Sequence, residues 1–86
     1  MIVKIASPLL SYTKGISKIE INKPLLNEVL DELDNRYPGI KFRFIDEQDR
    51  IRKHMTIFVN GIVAKDIFIP LEKNSEIFIV QLISGG

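Results

Sequence analysis

Residues 77–83 form a short apolar run in which Gln81 is the single polar side chain. The run is rich in β-branched residues, and it lies between Asn74-Ser75 and the closing Ser84-Gly85-Gly86. An apolar segment of this length between turn-forming residues predicts a strand rather than a helix. Because both of its faces are apolar, we expect a central strand of a sheet, running from Glu76 to about Leu82.

Three other segments alternate apolar and polar residues with the two-residue period of a strand. They cover residues 1–6, 16–21 and 55–59. Asn60-Gly61 follows the last of them, and this dipeptide is typical of a two-residue hairpin turn. The sequence therefore predicts a short returning strand at residues 62–63.

One segment has the periodicity of an amphipathic helix instead. Asn22 is a suitable N-cap, Pro24 suits the first helical turn, and Pro38-Gly39 predicts the end of the helix. Residues 40–51 fit either a strand or a short helical turn, and we favour the turn. The apolar stripe of the main helix consists of Leu26, Val29, Leu30, Leu33 and Tyr37.

These elements come in the order strand, strand, helix, strand, short strand, strand. This order suits a mixed sheet of about five strands with one main helix packed on one face. The predicted fold class is therefore α+β, with the ubiquitin-like β-grasp architecture. We expect residues 1–86 to form a single domain with a mobile tail at about residues 82–86, because glycine has no Cβ and leaves the backbone there free to adopt many conformations.

Composition excludes several kinds of site. The chain has no cysteine and one histidine, so thiolate metal sites, histidine clusters and a cysteine nucleophile are ruled out. A formal net charge of +1 gives no electrostatic basis for binding nucleic acid. We expect no nucleic-acid partner, no bound metal and no membrane segment, and we take the cytoplasm as the expected location.

Strand periodicity also predicts a docking surface. If Ile77 and Ile79 face the helix, the neighbouring side chains must face the other way. We expect partners to dock on this opposite face, unless the loop of residues 66–71 or self-association covers it. The predicted docking residues are Phe58, Phe78, Val80 and Leu82.

Charged side chains give weaker signals. A lone His54 beside basic residues is more often structural or solvated than catalytic. Arg50, Arg52 and Lys53 form a basic cluster that is suited to contact a partner, although exposed charge of this kind is ordinary on a soluble domain.

Three stretches of the chain form a recognisable combination: Tyr37-Pro38-Gly39-Ile40 followed by Arg43, Ile45 and Asp46; Arg52 through Ile57-Phe58-Val59-Asn60-Gly61; and Pro70-Leu71 followed by Glu76-Ile77, Ile79 and Ser84-Gly85-Gly86. Together they resemble the ubiquitin-like sulfur carriers of the MoaD/ThiS family. The chain departs from the family at residues 73–76, where Asp-Gly-Asp-Glu is common, and at Gln81, where proline is common. The length of residues 40–53 is similar to that of the longer MoaD-like and CysO-like members.

The resemblance implies a protein cosubstrate rather than an enzyme. An adenylyltransferase of the ubiquitin-activating type would use ATP to adenylate the Gly86 carboxylate, and sulfur transfer would convert it to a thiocarboxylate. Ser84 and Gly85 would carry that group into the enzyme, and the chain itself would bind no cofactor. The chemistry is reasonable because an α-carboxylate is ionised at neutral pH and adenylation turns it into a good acyl electrophile.

Several recipients of the sulfur are consistent with the resemblance. The first is molybdopterin, with the chain as the small subunit of molybdopterin synthase and the large subunit as its partner in molybdenum cofactor biosynthesis. A cysteine synthase and the thiazole synthase of thiamine synthesis are alternatives. A ubiquitin-like modifier joined to lysines by Gly86, or a β-grasp binding module with an incidental tail, also fits the residues.

Overall fold

The computed structural model describes residues 1–81 of the chain. The expectations for Leu82, Ser84, Gly85 and Gly86 lie outside the described residues. In chain order the elements are β1 (Ile2–Ile5), a 3₁₀ helix (Ser7–Thr13), β2 (Lys18–Glu20), α1 (Leu26–Arg36), α2 (Lys41–Phe44), β3 (Met55–Val59), β4 (Ile62–Val63) and β5 (Glu76–Gln81).

The strands form one sheet in the order β2-β1-β5-β3-β4. The central strands β1 and β5 are parallel, and every other neighbouring pair is antiparallel. The apolar run that predicted a central strand therefore has a partner on each side, which satisfies its backbone groups. The predicted α+β architecture, with a mixed five-stranded sheet and one main helix, is confirmed.

Helix α1 packs its apolar stripe into one core together with the sheet. The alternation predicted for β1 is confirmed, because Val3 and Ile5 are buried whereas Ile2 is exposed. The fully buried side chains of α1 are Leu26, Val29, Leu30 and Leu33, and those of the facing strands include Val3, Ile57, Ile77 and Ile79.

Helix α1 begins at Leu26, later than the sequence predicts. The backbone N–H groups of Leu26 and Asn27 donate to the carbonyl oxygens of Ile69 (3.1 Å) and Ile67 (2.7 Å). These carbonyls do what a capping side chain does elsewhere, namely satisfy N–H groups that have no partner inside the helix. The predicted cap, Asn22, instead accepts a hydrogen bond from the amino group of the first residue.

A 3₁₀ helix, which the sequence analysis did not predict, joins β1 to β2. A proline lies in its first turn, the helix ends at Thr13, and its C-cap Lys14 has φ of 55°. Gly15 follows with φ of 84°, so two successive residues in the left-handed region turn the chain toward β2. The helix adds Leu9 to the core, where its side chain is 2% exposed.

Candidate functional site

The hairpin between β3 and β4 fixes the start of β5. Asn60 and Gly61 have φ of 52° and 80°, so both central residues of the turn are left-handed, as a type I′ turn requires. The backbone N–H of Asn60 donates to the carbonyl of Glu76 at 2.8 Å, and the N–H of Glu76 donates to Oδ1 of Asn60 at 2.8 Å. This paired contact sets which side chains of β5 face the helix.

The register places aromatic residues on the sheet face opposite α1. Ile77 and Ile79 are fully buried, whereas Phe78 between them is 41% exposed. Phe58 lies directly across from Phe78 on β3, with 6.4 Å between the ring centroids and 38° between the ring planes. The predicted orientation of these two rings is confirmed.

Two further apolar side chains extend this surface. Val80 lies across from Thr56, and Val63 on β4 lies across from Phe58. We call Phe58, Val63, Phe78 and Val80 the open face. It leads along β5 toward residues 82–86, since Val80 precedes the last described residue of the strand, Gln81.

The loop of residues 66–71 does not cover the open face. Its carbonyls bond to the start of α1, and the N–H of Leu71 donates to the carbonyl of Pro24 at 2.8 Å. Ile67 is 1% exposed and belongs to the core. The loop therefore lies on the helix side of the sheet, and partner docking on the open face stays a prediction.

The edge of the open face carries charge. Nζ of Lys4 lies 3.3 Å from Oε2 of Glu76, and Lys4 lies beside Phe78 on the neighbouring strand. An apolar centre with charged residues at its margin is the usual composition of a protein interface.

A second region surrounds the end of β5. Gln81, the last described residue of β5, lies across from Met55 at the start of β3. Helix α2 lies near this point, since its residues Phe42 and Arg43 line one cavity together with Gln81. The start of α2 is held because Oδ1 of Asp34 accepts hydrogen bonds from the N–H groups of Gly39 (3.1 Å) and Lys41 (3.0 Å). The favoured helical turn is thus confirmed, and it is fixed to the end of α1.

The loop after α2 is closed by Asp46. Its Oδ1 accepts hydrogen bonds from the N–H groups of Gln48 (2.9 Å) and Arg50 (3.0 Å). The hydrogen bond from the Arg50 N–H, with that from Gln48 and the nearby guanidinium groups, lowers the pKa of the Asp46 carboxyl. This carboxylate therefore keeps its negative charge to a lower pH than an ordinary aspartate, and the turn keeps its acceptor.

The predicted basic cluster is divided by this turn. Arg50 points back to Asp46, with 3.6 Å between Nε and Oδ2. Arg52 turns toward α2, where its Nε donates to the carbonyl of Phe42 at 2.8 Å. Lys53 and His54 are exposed. Within residues 1–81, no cluster of three or more His, Cys, Asp or Glu side chains is placed to hold a metal ion.

Solved structures with the same architecture have low sequence identity to this chain. One chain of the BexX/CysO complex of Amycolatopsis orientalis superposes with a TM-score of 0.89 at 22% identity, covering 99% of this chain and 98% of that one. CysO of Mycobacterium tuberculosis gives 0.87 at 20% identity, covering 95% and 98%. Small archaeal modifier protein 1 of Methanosarcina acetivorans gives 0.81 at 22% identity, covering 99% and 94%.

The chain has the ubiquitin-like β-grasp fold. The predicted resemblance is confirmed at the level of fold, because the superpositions extend over nearly the whole length of both partners. No protein-family model matches the sequence, and no curated protein matches it. In this β-grasp domain, no helix among residues 1–81 has the length and hydropathy needed to cross a membrane.

The β-grasp fold brings together three of the predicted docking residues, Phe58, Phe78 and Val80. Sequence reasoning missed Val63, although the two-residue hairpin loop already fixes it opposite Phe58. It also missed the contact between Arg43 and Tyr12, because no local pattern relates two residues so far apart in the chain.

Proposed function

We propose that this β-grasp domain is a carrier of the MoaD/ThiS type whose reactive group is the Gly86 carboxylate. The observation that carries the proposal is the open face, which lies on the strand that leads into Ser84-Gly85-Gly86. An enzyme that holds this face has the end of the tail within reach. From Phe78 to Gly86 the extended chain spans roughly 27 Å at about 3.4 Å per residue.

The proposed reaction takes place at the tail in two steps. An oxygen of the Gly86 carboxylate attacks the α-phosphorus of ATP, and pyrophosphate leaves. Hydrosulfide or an equivalent sulfur nucleophile then attacks the acyl carbon, AMP leaves with the bonding electron pair, and a thiocarboxylate remains. The chain has no cysteine and therefore no side-chain thiol that could carry sulfur, which supports this role for the Gly86 carboxylate.

The partner in the first step is proposed to be an adenylyltransferase of the ubiquitin-activating type, acting where ATP is available, in the cytoplasm. One similar chain, from Amycolatopsis orientalis, was solved in a BexX/CysO complex, which supports a function that depends on docking to another protein. The catalytic groups are assigned to that partner, and this chain acts as its protein substrate.

For the recipient we propose molybdopterin synthase, with this chain as its small subunit. The superpositions on two CysO-containing structures favour a second candidate, a cysteine synthase. Both recipients are tested in the same way, by supplying the thiocarboxylate form of the chain to each enzyme with its acceptor and measuring sulfur transfer. The thiazole synthase of thiamine synthesis serves as a third recipient in that assay.

The intact mass of the protein tests the tail chemistry. We expect ATP, a cognate adenylyltransferase of the ubiquitin-activating type and sodium sulfide to replace one oxygen by sulfur at the terminus. Deletion of Gly86 abolishes the change, whereas the control Ser84→Ala retains it, because serine supplies no reacting atom. An unchanged mass with an enzyme that catalyses ATP–pyrophosphate exchange on another carrier contradicts the proposal.

A modifier function is the competing hypothesis, supported by the superposition on small archaeal modifier protein 1. Lys73 is the last basic residue of the sequence, so trypsin would leave residues 74–86 attached to any modified lysine. We expect free thiocarboxylate and no such branched peptides in a lysate digest. Abundant ATP-dependent branched peptides would instead establish the modifier function.

A further inference from the structure

A cavity of about 400 Å³ opens beside the end of β5. It lies between α2, the residues that enter β3 and the last described residue of β5. We call it the tail-root pocket, because Gln81, the residue that precedes residues 82–86 in the sequence, lines it. The pocket is lined by Phe42, Arg43, Arg52, His54, Met55 and Gln81.

Aromatic rings hold the two arginines of this pocket in place. The guanidinium of Arg52 lies 4.5 Å from the ring centroid of Phe42, and its Nε donates to the Phe42 carbonyl at 2.8 Å. The guanidinium of Arg43 lies 5.4 Å from the ring centroid of Tyr12. Stacking on a ring orients a guanidinium without neutralising its charge.

Neither arginine forms a close ion pair within the part of the chain that the structure describes, although Arg52 is near enough to Asp46 to help lower the pKa of that carboxyl. Among residues 1–81, the ion pairs involve Lys4, Arg36, Lys41 and Arg50, and neither Arg43 nor Arg52 pairs with a carboxylate. Arg50 makes a useful contrast, because Asp46 and Gln48 occupy its guanidinium. The pocket therefore combines an exposed aromatic wall, Phe42 at 57% exposure, with two oriented positive charges.

We propose that the tail-root pocket binds acidic side chains of the partner protein that takes the tail. This inference rests on the proposed function, since it concerns the same partner. A protein that draws in residues 82–86 must bring the entrance of its channel against the pocket, and oriented guanidinium groups pair best with carboxylates. Gly86 lies up to roughly 17 Å from Gln81 at about 3.4 Å per extended residue. The acidic residues thus line the channel entrance, away from the reacting phosphates.

A peptide titration tests the pocket without any enzyme. The probe is an acetylated, amidated octapeptide of alternating Asp and Glu, and its control is the Asn-Gln counterpart. In amide NMR spectra of the full chain, we expect saturable shifts at Phe42, Arg43 and residues 52–55 with the acidic probe alone. Equal shifts at Lys18 and Lys73 would show general attraction to positive charge and overturn the proposal.

Two further results of that experiment also overturn it. Nuclear Overhauser contacts between residues 82–86 and Phe42 in the free chain would assign the pocket to the chain's own tail. Displacement of the acidic peptide by inorganic pyrophosphate at a lower concentration would make the pocket a phosphate site.

Variants test the pocket against the adenylating partner. With the enzyme that modifies Gly86, we expect Arg43→Gln and Arg52→Gln each to weaken binding about 5-fold at low salt, and the double variant about 25-fold. The matched control Lys73→Gln removes one charge at the other end of β5 and changes affinity less than about 2-fold. The loss should shrink at high salt, because screening weakens exposed charge pairs.

The variant and mass experiments distinguish a failure of the pocket proposal from a failure of the carrier function. If the chain is modified but the arginine variants bind like Lys73→Gln, the pocket proposal is wrong and the carrier function stands. If no enzyme modifies Gly86, the carrier function is wrong, and the peptide titration alone decides whether the pocket recognises carboxylates. Thermal unfolding of each variant shows whether a loss of affinity arises from a loss of fold.

Discussion

The two faces of the sheet are built from the same strands but differ in their roles. On the face that packs against α1, Ile57, Ile77 and Ile79 are fully buried. On the open face, Phe58 and Phe78 pair with each other, and neither belongs to the core cluster. The comparison shows that the two-residue period of β3 and β5 separates the residues that stabilise the fold from those available to a partner.

Burial makes the helix-covered face the larger contributor to stability. Fully burying an isoleucine side chain contributes about 1.5–3 kcal/mol to folding. The open face buries its rings only in part, although Phe78 and Phe58 still stabilise each other by about 0.5–1.5 kcal/mol as a cross-strand aromatic pair. Large aromatic side chains that the core does not need are typical anchors of an interface.

The largest expected effect on stability is on the helix-covered face. Ile79→Ser removes a fully buried side chain and buries a hydroxyl group, so we expect unfolding to be easier by at least about 3 kcal/mol. Urea denaturation followed by circular dichroism measures the change. If the variant does not fold, Ile79→Val, expected to cost about 1 kcal/mol for the loss of one buried methylene group, tests the burial of the same side chain. A loss below about 0.5 kcal/mol for both would mean that this face is not the core.

The matched change on the open face is Phe78→Ser, one residue away in the same strand. We expect it to lower the free energy of unfolding by about 1 kcal/mol, through loss of the contact with Phe58. Binding to the adenylating enzyme, measured by calorimetry, should weaken by about 2 kcal/mol. Unfolding far below the parent temperature would place the ring in the core, and unchanged affinity would place the docking surface elsewhere.

The smallest effect is expected at the charged margin of the open face. Lys4→Gln removes the pair with Glu76, in which the two side chains are 36% and 58% exposed. Exposed pairs contribute little, so we expect a change in unfolding free energy below about 0.5 kcal/mol. If this variant lost as much stability as Phe78→Ser, the difference between apolar centre and charged margin would not hold.

Much of the fold follows from local patterns. The apolar stripe that begins at Leu26, the Asn60-Gly61 turn and the apolar run of β5 each dictate one element. The start of α1 could not be predicted, because its first N–H groups bond to Ile67 and Ile69, about forty residues further along the chain. The residues next to a helix therefore do not reveal that carbonyl groups distant in the sequence accept its first hydrogen bonds.

The candidate site likewise has one part that local sequence patterns predict and one part that they do not. Alternation along β3 and β5 is enough to place Phe58, Phe78 and Val80 on one face, since the strand period is fixed by geometry. The tail-root pocket depends instead on tertiary contacts, because Arg43 meets Tyr12 only after α2 folds back toward the 3₁₀ helix.

The most direct test of the account is a footprint of the adenylating enzyme on the chain. Cross-saturation NMR with the chain labelled and the enzyme unlabelled reports which residues lie at the interface. We predict strong saturation at Phe58, Phe78 and Val80, and none along the exposed side of α1. Saturation confined to α1, with the open face unaffected, would contradict the claim that this β-grasp domain docks through the strand that leads into its tail.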